Sequence, residues 1–324
     1  MATGEFELIR HYFCRGPGAF GAPLGIGDDC ALVAPPTSKH LAMSMDTLVA
    51  DVHFPQHADP ELIGERALRV NLSDLAAMGA SPLWFTLGLT IPKAESRWLE
   101  GFSKGLFNVA HEYDCALIGG DTTRGPLNIC IQVHGVVSGS NALLRGNAAV
   151  GDIVFVTGTL GDGAAAVAII KQEFEVGKSA FDYFMSRFYR PEPKVREGKL
   201  LCGIARAAID VSDGLLADLG HICEVSGVGA VVNVEQLPIS EPLQKLAEPA
   251  QSRNWALSGG DDYQLCFTVP RAKLDRLELL LHQGKLQATA IGEIVRGKGV
   301  TCLRDGEAFP VVRPGYQHFG NDRA

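Results

Sequence analysis

The first half of the chain alternates apolar runs of strand length with longer segments of helical spacing. LAMSMDTLVA reads as a strand, the stretch from Pro60 to about Gly79 as a helix, LWFTLGLTI as a strand, and the segment through Ala110 as a second helix. Two further apolar runs, CALIGG and LNICIQVHGVV, complete this half. The polar, glycine-containing connection SGSNALLRGNAAVGD follows and marks a boundary between residues 1–140 and 141–324. Beyond it the pattern restarts with a strand at DIVFVTG, a helix from Gly163 to Lys171, a charged helical stretch to Ala208, and the strand-to-helix unit AIDVSDGLLADLGHI. The expected fold is α/β, of layered α+β type, in two domains.

Composition narrows the function more than the fold. With 46% hydrophobic and 20% charged residues the chain reads as an ordinary soluble protein. A formal net charge of -8 gives no general attraction to nucleic acid or to an anionic membrane, so neither is expected as a partner. The amino terminus, MATGEFELIRHYF, lacks the basic start and apolar stretch of a signal peptide, and no apolar run reaches membrane-spanning length. Eight cysteines without a C-x-x-C pair read as reduced core residues, which fits the cytoplasm.

Candidate chemistry lies in six short segments that concentrate aspartate with glycine, serine or threonine at strand ends: GIGDDCAL, SMDTLVADVHF, NLSDLAAMG, IGGDTTRG, DVSDGL and SGGDDYQL. Each alone reads equally well as a helix cap or a turn. NLSDLAAMG and DVSDGLLADLG both read as Ser-Asp ahead of a helix, and Gly119-Gly120-Asp121 and Gly259-Gly260-Asp261 as turns. Together, Asp28, Asp29, Asp46, Asp74, Asp121, Asp210 and Asp213 are hard oxygen donors whose gathering calls for a cation, and magnesium shared with phosphates suits them best. TGTLGDGAAAVAII passes from strand through a glycine-rich turn into a helix, which either presents N–H groups to an anion or is a plain turn. Arg145 reads as a phosphate contact or as a solvated charge. G-x-x-x-x-G-K-S/T is absent, so a phosphate-loop architecture is excluded.

In order and wording, GEFELI, GIGDDCAL, MDTLVADVHF, NLSDLAAMGA, LIGGDTTRGPL, VTGTLGDGAA, RPEPKV, IDVSDGL, SGGDDYQLCFT and GYQHF resemble the thiamine-monophosphate kinase family, from Gly4 to Phe319. That family is grouped with aminoimidazole-ribonucleotide synthetase and selenophosphate synthetase, whose members are dimers of two-domain chains with ATP near the subunit interface. The resemblance implies transfer of the ATP γ-phosphoryl group to thiamine phosphate, with several Mg2+ ions. It places Asp29, Ser44, Met45, Asp46, Asp74, Asp121, Asp210 and Asp213 at metal positions, Asp46 and Asp121 as shared ligands, and Asp28 beside them. Gly120, Asp121, Arg145 and Ser212 match ATP contacts, and His53, Asp261 and Tyr316 match contacts to thiamine phosphate. Met45 stands where threonine is usual and retains only a main-chain carbonyl as a ligand; Asp261 and Gln264 stand where glutamates are usual. The alternatives are another ATP-using member of the superfamily, acting on a purine precursor or a selenium compound, or a non-catalytic homologue.

Overall fold

In the computed structural model, which describes residues 5–27, 29–311 and 315–316, the strands fall into two mixed sheets. The first half contains α1 (Glu5–Tyr12), β1 (His40–Val49), α2 (Pro60–Ala77), β2 (Ser81–Ile91), α3 (Ser96–Glu112), β3 (Ala116–Arg124) and β4 (Asn128–Val137). Its four strands lie in the order β1-β4-β2-β3. β4 is antiparallel to both β1 and β2, and β2 runs parallel to β3. β2 and β4 alternate buried with half-buried residues, so one face of the sheet packs against apolar side chains. α2 has an apolar face to match, with Ile63, Ala67, Leu68, Leu72 and Leu75 fully or almost fully buried. Trp84 of β2 donates from Nε1 to the Phe20 carbonyl at 2.7 Å, which anchors the loop ahead of β1.

The second half contains β5 (Ile153–Thr157), α4 (Asp162–Ile170), α5 (Lys178–Tyr189), α6 (Val195–Leu201), β6 (Ala207–Val211), α7 (Leu215–Ser226) and β7 (Gly229–Asn233). It continues with α8 (Glu241–Leu246), α9 (Pro249–Ser258), β8 (Gln264–Val269), α10 (Leu274–His282), β9 (Ala288–Val295), β10 (Gly299–Arg304) and β11 (Glu307–Ala308). Seven strands form a sheet in the order β11-β10-β7-β9-β5-β8-β6. β6 and β8 are buried at every position, as expected of strands covered on both faces. Val154, Val156, Ile209, Val211, Leu215, Leu219, Ile222 and Ile291 belong to one core.

The chain divides between Ala142 and Leu143, inside the connection SGSNALLRGNAAVGD, with Ala76–Gly79 grouped with the second unit. The charged stretch read as one helix to Ala208 is two helices and a strand, because Pro191 and Pro193 interrupt it and the backbone is extended from Ala207. Four cysteines, Cys115, Cys223, Cys266 and Cys302, are buried, whereas Cys14 and Cys30 are exposed and do not fit the core reading.

Candidate functional site

In the first unit the strand period places the donors. Along β1, Ser44 and Asp46 are half-buried, while Met43 and Met45 between them are 61% and 59% exposed on the opposite face. The Met45 side chain is thus directed away from Ser44 and Asp46, and the strand tolerates a thioether there. The Ser44 hydroxyl donates to Asp74 Oδ2, and the Asp46 N–H donates to Asn71 Oδ1 at 3.0 Å. Asn71 is fixed in turn by its Nδ2 bond to the Ala67 carbonyl at 2.8 Å. NLSD therefore works from inside α2, not ahead of a helix as expected, and its buried polar face grips β1. Gly119-Gly120-Asp121 likewise lies within β3, not in a turn. A Cβ at Gly120 would sit 2.0 Å from the Leu87 carbonyl oxygen, so close approach to β2 requires glycine there.

His53 follows β1 in a turn, where its Nδ1 accepts from the Val49 N–H at 2.9 Å and its carbonyl accepts from Arg66 Nε at 3.3 Å. An accepting Nδ1 puts the proton of the neutral ring on Nε2, which is therefore a donor. Asp29 is exposed on the loop before β1, and Asp28 lies outside the described residues.

Asp46 and Asp121 are not brought together in one chain. Asp46 lies opposite Ile131, Ile131 opposite Leu87, and Leu87 opposite Gly120, so the two aspartates occupy opposite edges of the sheet. Three strand spacings are about 14 Å. Asp46 is level with Gly120, so Asp121, one residue further on, directs its side chain to the other face of the sheet, whereas ligands of one magnesium ion lie within about 4 Å of each other. Within one chain the two residues therefore stand apart, on the two edge strands of the sheet.

In the second unit the turn between β6 and α7 is the centre. Asp210 is buried near the end of β6, and Ser212, Asp213 and Gly214 follow. Asp218, one turn into α7, accepts from the N–H groups of Ser212, Asp213 and Gly214 on a single oxygen, each at 3.1 Å. Burial pushes its carboxyl up to about 7, and the charge of Asp213 pushes the same way against the three N–H bonds. The outer side of the turn receives other segments: Asp261 N–H donates to the Ser212 carbonyl at 2.7 Å, Tyr263 N–H to the Val211 carbonyl at 2.8 Å, and Tyr316 N–H to the Asp213 carbonyl at 2.9 Å. Asp210, Ser212, Asp213, Asp261 and Tyr316 are thus gathered on one turn. A cavity of about 1100 Å³ borders it, lined in part by Asp213, Leu216, Val311 and Tyr316. Arg145 is exposed in a single 3-10 turn, and its carbonyl accepts from Ser226 Oγ of α7 at 3.2 Å.

The N–H groups of the glycine-rich turn before α4 are taken by a carboxyl group supplied by the chain itself. Asp262 accepts from the Gly161 N–H at 2.7 Å and from the Gly163 N–H at 3.1 Å, one on each oxygen. Asp162, also buried, is surrounded by Thr159 Oγ1 and Tyr183 OH at 2.8 Å, Ser240 Oγ at 2.5 Å and Arg187 Nε at 3.2 Å. Neither Asp162, Asp218 nor Asp262 was singled out from sequence. Their signals, an Asp beside Gly in a turn or one turn into a helix, match those of an ordinary cap.

Among the described residues no three of histidine, cysteine, aspartate and glutamate form a group able to hold a metal ion. Donors occur instead in small sets, Ser44, Asp46 and Asp74 in one unit and Asp210 with Asp213 in the other. All are oxygen donors, which fits magnesium completing its shell with water and phosphate and fits a softer metal poorly.

Residues 27–137 match the AIR synthase related protein N-terminal domain, and residues 149–304 match the AIR synthase related protein C-terminal domain. The thiamine-monophosphate kinase of Escherichia coli K12 is 47% identical over 322 residues, which cover 98% of this chain and 99% of that protein. Among solved structures, the thiamine-monophosphate kinase of Stenotrophomonas maltophilia K279a is 46% identical with a TM-score of 0.83, over 89% of this chain and 92% of that one. AaThiL complexed with AMPPCP and TMP is 32% identical with a TM-score of 0.78, over 88% and 89% of the two chains.

Proposed function

The chain belongs to the thiamine-monophosphate kinase family, and from that membership we propose how its residues share the transfer of the ATP γ-phosphoryl group to thiamine phosphate. The reaction is that of an ATP-dependent phosphotransferase with a phosphate acceptor, giving thiamine diphosphate and ADP. The observation that carries the assignment of roles is the single turn that gathers Asp210, Ser212 and Asp213 with Asp261 and Tyr316.

Asp29, Ser44, Asp46, Asp74, Asp121, Asp210 and Asp213, with the Met45 carbonyl, would hold several Mg2+ ions. Those ions supply charge neutralisation between two anionic reactants and stabilise charge in the transition state. Gly120, Asp121, Arg145 and Ser212 bind ATP, Arg145 through a guanidinium matched to phosphate. The Nε2–H of His53 donates to the acceptor phosphate. Tyr316 stacks on the cationic thiazolium, and Asp261 pairs with the aminopyrimidine edge. Positioning for in-line attack supplies much of the rate. No residue acts as a strong general base, because a phosphate monoester with a second pKa of about 6 is already ionised near neutral pH.

The working molecule is a cytoplasmic homodimer in this reading. Among the described residues no helix is long and apolar enough to cross a membrane. Leu41, Met43 and Met45 expose an apolar stripe on an edge strand of the first sheet. Two copies joined β1 to β3 about a two-fold axis would cover both edges, and each metal site would then draw Asp46 from one copy and Asp121 from the other.

The test incubates the full chain with ATP, magnesium and thiamine phosphate and separates the products chromatographically. Thiamine diphosphate is expected, with unphosphorylated thiamine a very poor acceptor. Failure to form it while ATP is consumed with a purine precursor or a selenium compound would overturn the acceptor assignment.

A further inference from the structure

We propose that Asp262 is a positioning residue for the acceptor: its buried carboxylate clamps the turn that carries Asp261 onto the amino terminus of α4 and so sets where the thiamine portion binds. This rests on the acceptor role given to Asp261 above.

The turn from Gly259 to Tyr263 is held from two sides. On one side Asp261 and Tyr263 donate their N–H groups to the carbonyls of Ser212 and Val211. On the other, the two oxygens of Asp262 take the N–H groups of Gly161 and Gly163, about a hundred residues away in sequence. Asp262 is buried, and both of its neighbours have left-handed backbone, with φ of 63° at Asp261 and 50° at Tyr263. Residues with a Cβ adopt that region reluctantly, so the surrounding contacts must impose it. Gly163 shows how tight the clamp is, because a Cβ there would lie 2.4 Å from the Asp261 carbonyl oxygen.

Gln264 braces the same turn from below. Its Oε1 accepts from Thr157 Oγ1 at 2.9 Å and its Nε2 donates to the Asp262 carbonyl at 3.3 Å. The turn is therefore tied to β5, α4 and β6 at once, and Asp262 is the link that reaches α4. Because the carboxylate already fills the two N–H groups, they are not open to a phosphate of ATP. The clamp acts on the acceptor side.

The test compares the full-length protein with Asp262→Asn, whose amide can accept from only one of the two N–H groups, and with Gly163→Ala, which keeps the carboxylate but pushes on the Asp261 backbone. The expected result in both is a KM for thiamine phosphate raised by about tenfold or more, with the KM for ATP changed less than about threefold. Binding of thiamine phosphate without ATP, followed calorimetrically, should weaken in parallel. An unchanged acceptor KM in folded Asp262→Asn overturns the proposal. So does an equal loss toward both substrates, or failure of both variants to fold, since either makes the carboxylate a general determinant of the fold. Asp261→Ala, run alongside, separates the two ideas: if it leaves acceptor KM unchanged, the acceptor role of Asp261 fails whatever Asp262 does.

Discussion

Asp261 and Asp262 are adjacent in sequence but do opposite things, and each can be probed alone. Asp261→Ala should raise the KM for thiamine phosphate more than tenfold, about 1.4 kcal/mol of lost binding, with a smaller effect on ATP. Asp261→Glu, which restores the family's usual residue, should remain active; steady-state kinetics with each substrate varied in turn decides both. Asp262 is visible in stability instead. Burial pushes its carboxyl up to about 7 from an unfolded value of 3.8, with Asp162 adding to the shift while Arg187 and the N–H groups of Gly161 and Gly163 oppose it. Between those values the folded chain holds a proton that the unfolded chain has released, so stability from this group is present at low pH and lost as pH rises toward 7. Asp262→Asn should therefore flatten the fall in stability between about pH 4 and about pH 7, read as denaturation midpoints in urea. An unaltered slope would exclude the shifted titration.

The turn between β6 and α7 is the element on which the second unit's site depends, and Asp218 holds its shape. Three N–H groups converge on one of its oxygens. Asp218→Ala leaves them without that acceptor and should cost about 1–3 kcal/mol of stability, measured by chemical denaturation, together with weaker use of ATP. An equally stable variant with unchanged ATP kinetics would show that water replaces the carboxylate. The strand and helix pattern was largely legible in the sequence, because β1, β2, β4 and β5 are apolar runs of strand length and α2 repeats apolar residues at helical spacing. Wrong readings arose where one short signal serves two contexts. Ser73-Asp74 inside α2 and Ser212-Asp213 ahead of α7 look alike locally, and only the partners, Ser44 for one and Asp218 for the other, distinguish them. The chemistry-bearing aspartates stood out by number, whereas Asp162, Asp218 and Asp262 did not. Their role comes from burial against N–H groups and hydroxyls distant in sequence, which no spacing rule encodes. Gln264 shows the same limit in reverse: its missing charge reads as a loss in sequence, yet a charge between Thr157 and the Asp262 carbonyl would have to be buried.

At the scale of the assembled molecule, the separation of Asp46 from Asp121 makes oligomeric state and chemistry one question. Both are proposed above as metal ligands, yet they sit on opposite edges of a four-stranded sheet, about 14 Å apart by strand spacing. If each site combines Asp46 of one copy with Asp121 of the other, Asp46→Asn and Asp121→Asn homodimers both lose turnover severely while remaining folded. Mixed dimers then behave differently. In a dimer of one Asp46→Asn chain and one Asp121→Asn chain, one site carries both substitutions and the other carries neither. Random exchange makes about half of the dimers mixed, so about a quarter of wild-type activity should return when the two inactive proteins are unfolded together and refolded, and about half when they are co-expressed with different tags and purified through both. The same substitutions placed together in one chain, co-expressed with wild type and purified through both tags, provide the control, because there each mixed dimer has one substitution at each site and should be inactive. Activity in the purified mixed dimers of the first pair and none in those of the second supports the shared site. Inactive mixed dimers, or a monomer at working concentration by light scattering, would mean that Asp46 and Asp121 serve separate ions within one chain.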